Sequence, residues 1–181
     1  MALDRRWPVF LAACDIAPVP LPSHPGLAVE LADALNLCGL VLSGGDDLAS
    51  CGGTAFERDL AELELLGWAE ADEVPVLGVC RGMQLIVEHE GGRLLEVDGH
   101  VGTDHEVHST TGATRTVNSF HRWGAVEVRE SLDVVASCGD LIEAVRHRSR
   151  PTFGIMWHPE RVEVPDPDDV LLMQSIFGAR S

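Results

Sequence analysis

The stretch Val74 to Val87 constrains the fold of this chain more than any other. Val74 to Val79 is an apolar, β-branched run that reads as a buried strand. It stops at Cys80, and the residues that follow read as a helix. Gly78 and Gly82 sit two positions either side of the cysteine, where a sharp strand-to-helix turn needs small side chains. Such a turn holds the sulfur clear of the sheet at a helix N-terminus, whose dipole and free N–H groups favour thiolate over thiol. A structural cysteine would sit equally well inside the strand, but it would leave the glycine pair unexplained. Cys80 is therefore the candidate nucleophile.

A nucleophile needs a base, and Phe153-Gly-Ile-Met-Trp-His-Pro-Glu160 supplies one at the polar end of another apolar strand. In an extended segment residues i and i+2 share a side, so His158 and Glu160 are expected to meet. Pro159 favours extended geometry at His158. The carboxylate would orient the imidazole while the imidazole moves protons for Cys80. A His-Pro-Glu tripeptide alone is weak evidence and equally describes an ordinary strand-end turn. Its value comes from following the elbow.

With these motifs in hand, the chain resembles the class I (triad) glutamine amidotransferase superfamily. The likeness runs through Leu42-Ser-Gly-Gly-Asp-Asp-Leu48, Arg58-Asp-Leu-Ala-Glu62, Gly78-Val-Cys-Arg-Gly-Met-Gln84, Val117-Asn-Ser-Phe-His121 and Gly154-Ile-Met-Trp-His-Pro-Glu160. The Arg58-Asp59…Glu62 and Val117-to-His121 elements are similar to its γ-glutamyl hydrolase branch. Arg161 and the stretch Gly99 to His105 are similar to a subgroup acting on γ-glutamyl nucleotide amidates. The resemblance implies an α/β, flavodoxin-like fold with a mostly parallel sheet and helices on both faces. It implies a triad of Cys80, His158 and Glu160, and an oxyanion hole from the backbone amides of Gly45 and Arg81. It further implies that Gln84, Asn118, Ser119 and His121 hold the glutamyl head group, and that no metal or cofactor takes part. Relatives in this branch usually begin with a strand ahead of the segment Leu3 to Trp7, so the first strand is expected to be missing here.

Bulk properties bound the remaining classes. The 181 residues, 45% hydrophobic, are expected to form one domain over 1–181, with no room for a fused synthetase. No apolar run approaches the roughly 18 residues of a membrane span, and no leader is apparent. Five scattered cysteines (14, 38, 51, 80 and 138) fit a reduced, cytoplasmic protein. The formal net charge of −16 argues against nucleic acid and anionic membrane as partners. The one arginine gathering, Arg146 to Arg150, reads as a solvated hairpin, or else as a phosphate-facing patch.

Helical spacing marks Leu3, Trp7, Phe10, Leu11 and Cys14; then Leu27, Leu31 and Leu35; then Phe56, Leu60, Leu63 and Leu66. Short β-rich runs follow from Arg93 to Met156, and Asp168 to Phe177 reads as a closing helix. The polar segment Asp98 to His108 reads as a loop. It carries three histidines and two aspartates, but their spacing matches no strong metal signature.

The expected reaction is hydrolysis of a small-molecule γ-glutamyl amide to glutamate and free amine through a glutamyl thioester. The alternative is a glutaminase subunit that passes ammonia to a separate synthetase. A redox-sensing protein on the same fold is a third reading, disfavoured by the intact His158-Pro159-Glu160. A homodimer is compatible with all three.

Overall fold

The computed structural model describes residues 3–178. Its centre is one nine-stranded sheet containing the order β1-β2-β9-β8-β7-β4-β5. The strands that position the site are β1 (Leu40–Leu42), β2 (Val76–Val79) and β9 (Thr152–Ile155), and these three pair in parallel. The others are β3 (Arg93–Glu96), β4 (Val101–Ser109), β5 (Thr114–Phe120), β6 (Trp123–Glu127), β7 (Leu132–Cys138) and β8 (Leu141–His147).

The expectation of a mostly parallel sheet is corrected here: the sheet is mixed, with two parallel pairings and six antiparallel ones. Parallel neighbours need long crossovers, and only the strands joined through helices have them. The β-rich half runs through short turns and is antiparallel for that reason. It also curls, because β6, which follows β5 closely in the chain, returns to pair with β8. The segment expected to be a polar loop is mostly strand β4, pairing with β5 along its length. Its side chains are largely exposed, which is why it lacked an apolar signature.

Helices cover both faces of the parallel core, as expected. Alternating residues separate the two sides: Leu40, Leu42 and Val76 pack with α2 (Leu27–Ala34), α3 (Phe56–Ala71) and α4 (Arg81–His89). Leu77, Val79 and Ile155 pack with Trp7, Phe10 and Leu11 of α1 (Arg6–Ala13) and Met173 of α5 (Pro167–Phe177). A strand covered twice has no polar face, which is why β2 reads as a continuous apolar run. Among the described residues no strand precedes β1, which lies at one end of the sheet order.

Two helices bury stripes whose fully buried residues match the leucine spacing only at Leu66. In α2 the buried residues are Ala28 and Ala32, while Leu27 and Leu35 are exposed. In α3 Ala61, Leu65, Leu66 and Ala69 go inward, and Phe56, Leu60 and Leu63 stay out. Small side chains allow close approach, and packing overrides the hydrophobicity of the individual residues.

Candidate functional site

Each of the three parallel strands ends in one of the expected elements. β1 runs into Ser43-Gly44-Gly45, β2 into Cys80, and β9 through Met156 and Trp157 into His158. The order β1-β2-β9 sets these ends side by side at the carboxyl edge, where open α/β sheets place their ligands.

Cys80 takes φ +52° and ψ −103° as the N-cap of α4, a backbone region costly for any residue but glycine. The glycines around it explain how the turn is made. A Cβ on Gly78 would lie 2.6 Å from the carbonyl of Gly82, and one on Gly82 would run into the carbonyl of Leu42. Both positions therefore have to be bare for α4 to start directly against β1 and β2.

His158 Nδ1 lies 2.8 Å from Glu160 Oε1, and both side chains are 1% exposed. The expected pair is present, but not by strand alternation. Residues Pro159–Arg161 form a 3-10 turn, and the Arg161 N–H returns to the His158 carbonyl at 3.1 Å. The turn, rather than an extended chain, carries the carboxylate under the ring. Asn118 clamps the His158 backbone from both sides, donating to its carbonyl and accepting from its N–H, each at 2.9 Å. On the other side a Cβ on Gly44 would lie 2.5 Å from His158 Cε1, so the glycine makes room for the imidazole. No hydrogen bond joins Cys80 to His158 among the described residues, where His158 Nδ1 is taken by Glu160.

Burial pushes the Cys80 thiol up to about 12, against the Arg81 backbone N–H and the charge of Arg161, which pull it down, while Glu160 and Glu143 add to the rise. The expectation that the helix N-terminus would favour thiolate is thus outweighed by desolvation in the free protein.

Arg58, Asp59 and Glu62 gain a physical role from the same geometry. Arg58 Nε donates to Glu62 Oε1 at 2.7 Å, and its Nη2 donates to the carbonyls of Ser43 (2.7 Å) and Gly44 (3.1 Å). The Arg81 side chain, 1% exposed, donates to Glu62 and Asp59. A Cβ on Gly45 would collide with the Arg58 guanidinium, so Gly45 is bare where Arg58 grips the loop. This network ties the β1 loop, with the Gly45 amide, to the first residue of α4.

Two of the remaining expected residues, Gln84 and His121, meet at one carbonyl. Gln84 Nε2 donates to Trp123 O at 2.7 Å, and His121 Nδ1 lies 3.2 Å from the same oxygen. The Ser119 hydroxyl donates to the His100 carbonyl at 2.7 Å. Sequence reasoning missed Asp169, which is buried and takes a bidentate pair of bonds from Arg115, at 3.0 Å each. Asp169 also accepts from Trp157 Nε1 at 3.0 Å, steadying the residue before His158. It missed Glu143 too, 1% exposed and surrounded by His100, His105 and His121. An acidic residue inside an apolar strand run was the available signal for Glu143. The Arg146-to-Arg150 gathering is spent on acids: Arg146 and Arg148 on Asp133, Arg150 on Glu70 and Glu90.

A strained cysteine, a buried histidine–carboxylate pair and a glycine loop at three neighbouring strand ends define an α/β protein with a sharp strand-to-helix elbow. The family model for peptidase C26 matches residues 3–160, and the chain belongs to this class I glutamine amidotransferase-like family. It is 34% identical over 125 residues to gamma-glutamyl-CDP-amidate hydrolase of Campylobacter jejuni, a match covering 67% of this chain and 62% of that one. It is 32% identical to the glutamine-hydrolyzing GMP synthase of Streptococcus mutans over 77% of this chain and 28% of that one. The matched region thus spans less than two thirds of either relative. A putative GMP synthase subunit from Thermoplasma acidophilum superposes with a TM-score of 0.77 at 21% identity, over 96% of this chain and 86% of that one, a likeness of fold. Among the described residues no helix is long and apolar enough to cross a membrane.

Proposed function

We propose that the protein is a cysteine-dependent hydrolase that cleaves a γ-glutamyl amide. The observation that carries this reading is the meeting of three parts at neighbouring strand ends: the elbow cysteine, the His158–Glu160 pair and the Gly44-Gly45 loop gripped by Arg58. The Cys80 sulfur attacks the γ-carbonyl carbon as its proton passes to His158, which suits a thiol held protonated until substrate arrives. The oxyanion lies against the amides of Gly45 and Arg81. His158 then gives its proton to the departing nitrogen as the C–N bond breaks, and the amine leaves. Water, deprotonated by His158, splits the glutamyl thioester to release glutamate and restore the thiol. Glu160 holds the imidazole and its positive form throughout. Gln84, Asn118, Ser119 and His121 form the wall for the glutamyl head group. The likeness to gamma-glutamyl-CDP-amidate hydrolase supports a nucleotide amidate as the substrate class.

The second reading, a glutaminase subunit that supplies ammonia to a separate synthetase, is favoured by the likeness to GMP synthases. The test is glutamate release from glutamine and from a panel of γ-glutamyl amides, one of them a nucleotide amidate, with Cys80→Ala as control. The hydrolase reading expects Cys80-dependent release from an amide well above that from glutamine. Release from glutamine alone, or none until a synthetase is added, would replace it with the second reading.

A further inference from the structure

The antiparallel half holds a group of side chains of which the proposed reaction uses only His121. Glu143, on β8, is 1% exposed, and neither of its carboxylate oxygens has a hydrogen-bond partner. Three imidazoles crowd it: His105 Nε2 lies 3.3 Å from Oε2, His121 Nε2 3.5 Å from Oε1, and His100 Nδ1 4.0 Å from Oε1. None of these contacts has hydrogen-bond geometry, and each of those three ring nitrogens is buried without a partner. A buried carboxylate left this way is costly unless a positive charge completes it.

The tautomer of His121 sharpens the case. Its Nδ1 faces the Trp123 carbonyl, which only accepts, so the proton of the neutral ring sits on Nδ1. In that neutral form Nε2 would be an acceptor, 3.5 Å from a carboxylate oxygen that also accepts. This is also how metal-bound histidines are set: one nitrogen anchored to a backbone carbonyl, the other free for the ion. His100 is fixed beside it, since its carbonyl accepts from both the Ser119 hydroxyl and the His121 N–H.

We propose that His100, His121 and Glu143 bind a divalent transition-metal ion of the zinc type, with His105 against the second carboxylate oxygen. Their ligand atoms all lie within 4.8 Å of one another. A tetrahedral ion with bonds of about 2.0–2.2 Å spaces its ligands about 3.3–3.6 Å apart, so small side-chain movements complete the shell. Two imidazoles and one carboxylate is a known zinc set. The ion ties the residue before β4 and the turn after β5 to β8, closing the curl of the sheet. With both ring nitrogens taken, by the Trp123 carbonyl and by the ion, His121 would serve the head-group wall through its ring carbons alone. A second group, Glu70, His89 and Glu90, is set aside because Arg150 already pairs with both of its carboxylates. The inference goes beyond the proposed function and does not depend on it.

The experiment uses tag-free Cys80→Ala protein, stripped with chelator and then titrated with Co2+ and competed with Zn2+. It is followed by visible absorption and by elemental analysis, so no activity is needed. One ion per chain is expected, with the absorption of a nitrogen- and oxygen-bound, tetrahedral-type cobalt. Glu143→Gln and His100→Ala are each expected to weaken binding by more than the roughly 10–100-fold that loss of an outer-shell partner costs. His89→Ala should leave binding unchanged. No uptake, uptake indifferent to both ligand variants, or uptake lost in His89→Ala would each overturn the site. Circular dichroism checks folding, and if Glu143→Gln does not fold, the partly accessible His100→Ala decides.

Discussion

Replacing Glu62 by Gln tests whether the site loop is held by the buried ion network. Glu62 accepts from Arg58 Nε at 2.7 Å and from the Arg81 guanidinium, with side-chain exposures of 12%, 5% and 1% for the three residues. In the native protein these two guanidiniums face two carboxylates, Glu62 and Asp59. Glutamine keeps the shape but removes one negative charge and turns an N–H₂ towards an arginine. Breaking a buried pair by altering one partner costs about 3–5 kcal/mol. For a chain of this size each kcal/mol lowers Tm by about 2–4 °C, so a fall of roughly 6–20 °C is expected. Urea denaturation monitored by tryptophan fluorescence gives the free energy directly. Because Arg58 also grips the Ser43 and Gly44 carbonyls, turnover should fall with the Cys80 site otherwise intact. A loss of stability under about 1 kcal/mol, the range of exposed pairs, would refute the argument that this network is a desolvated, interlocked unit.

Further outcomes follow from the same geometry. Cys80→Gly should resist urea better than Cys80→Ala, because glycine relieves the +52° φ strain, about 1–3 kcal/mol before its own entropy cost; equal stability would mean the turn is unstrained. The Cys80 thiol, pushed up by burial to about 12 from an ordinary 9.0, is protonated in the fold where the unfolded chain is already ionised. Its contribution is therefore complete below pH 9 and lost as pH rises towards 12, so wild type should lose stability relative to Cys80→Ala over that interval. A difference that stays flat with pH would refute it. Asn118→Ala removes both bonds to the His158 backbone, and should lower kcat by at least about tenfold, the effect of a misplaced base, beyond any rise in KM from the head-group wall; a change confined to KM would mean Asn118 serves substrate alone.

The parts of this protein legible in its sequence are those that short-range sterics dictate. The β2 run reads as a doubly buried strand because its residues need apolar cover on both faces, whatever supplies it. The elbow reads from Gly78, Cys80 and Gly82 because the constraint, bare positions around a strained turn, lies within a few residues. His158 and Glu160 read as a pair because they stand two residues apart at a strand end before a proline-started turn, though it proved to be that turn rather than strand alternation that joins them. Tertiary structure alone decided what depends on chain segments meeting. Only packing could show that Ala28 and Ala32, not the leucines of α2, face the core, since close helix approach rewards small side chains. Only strand order could show that β2 and β9 are neighbours while the β-rich half curls antiparallel. And only that curl could gather His100, His105 and His121 around the buried carboxyl group of Glu143, because no local periodicity links residues this far apart in the chain.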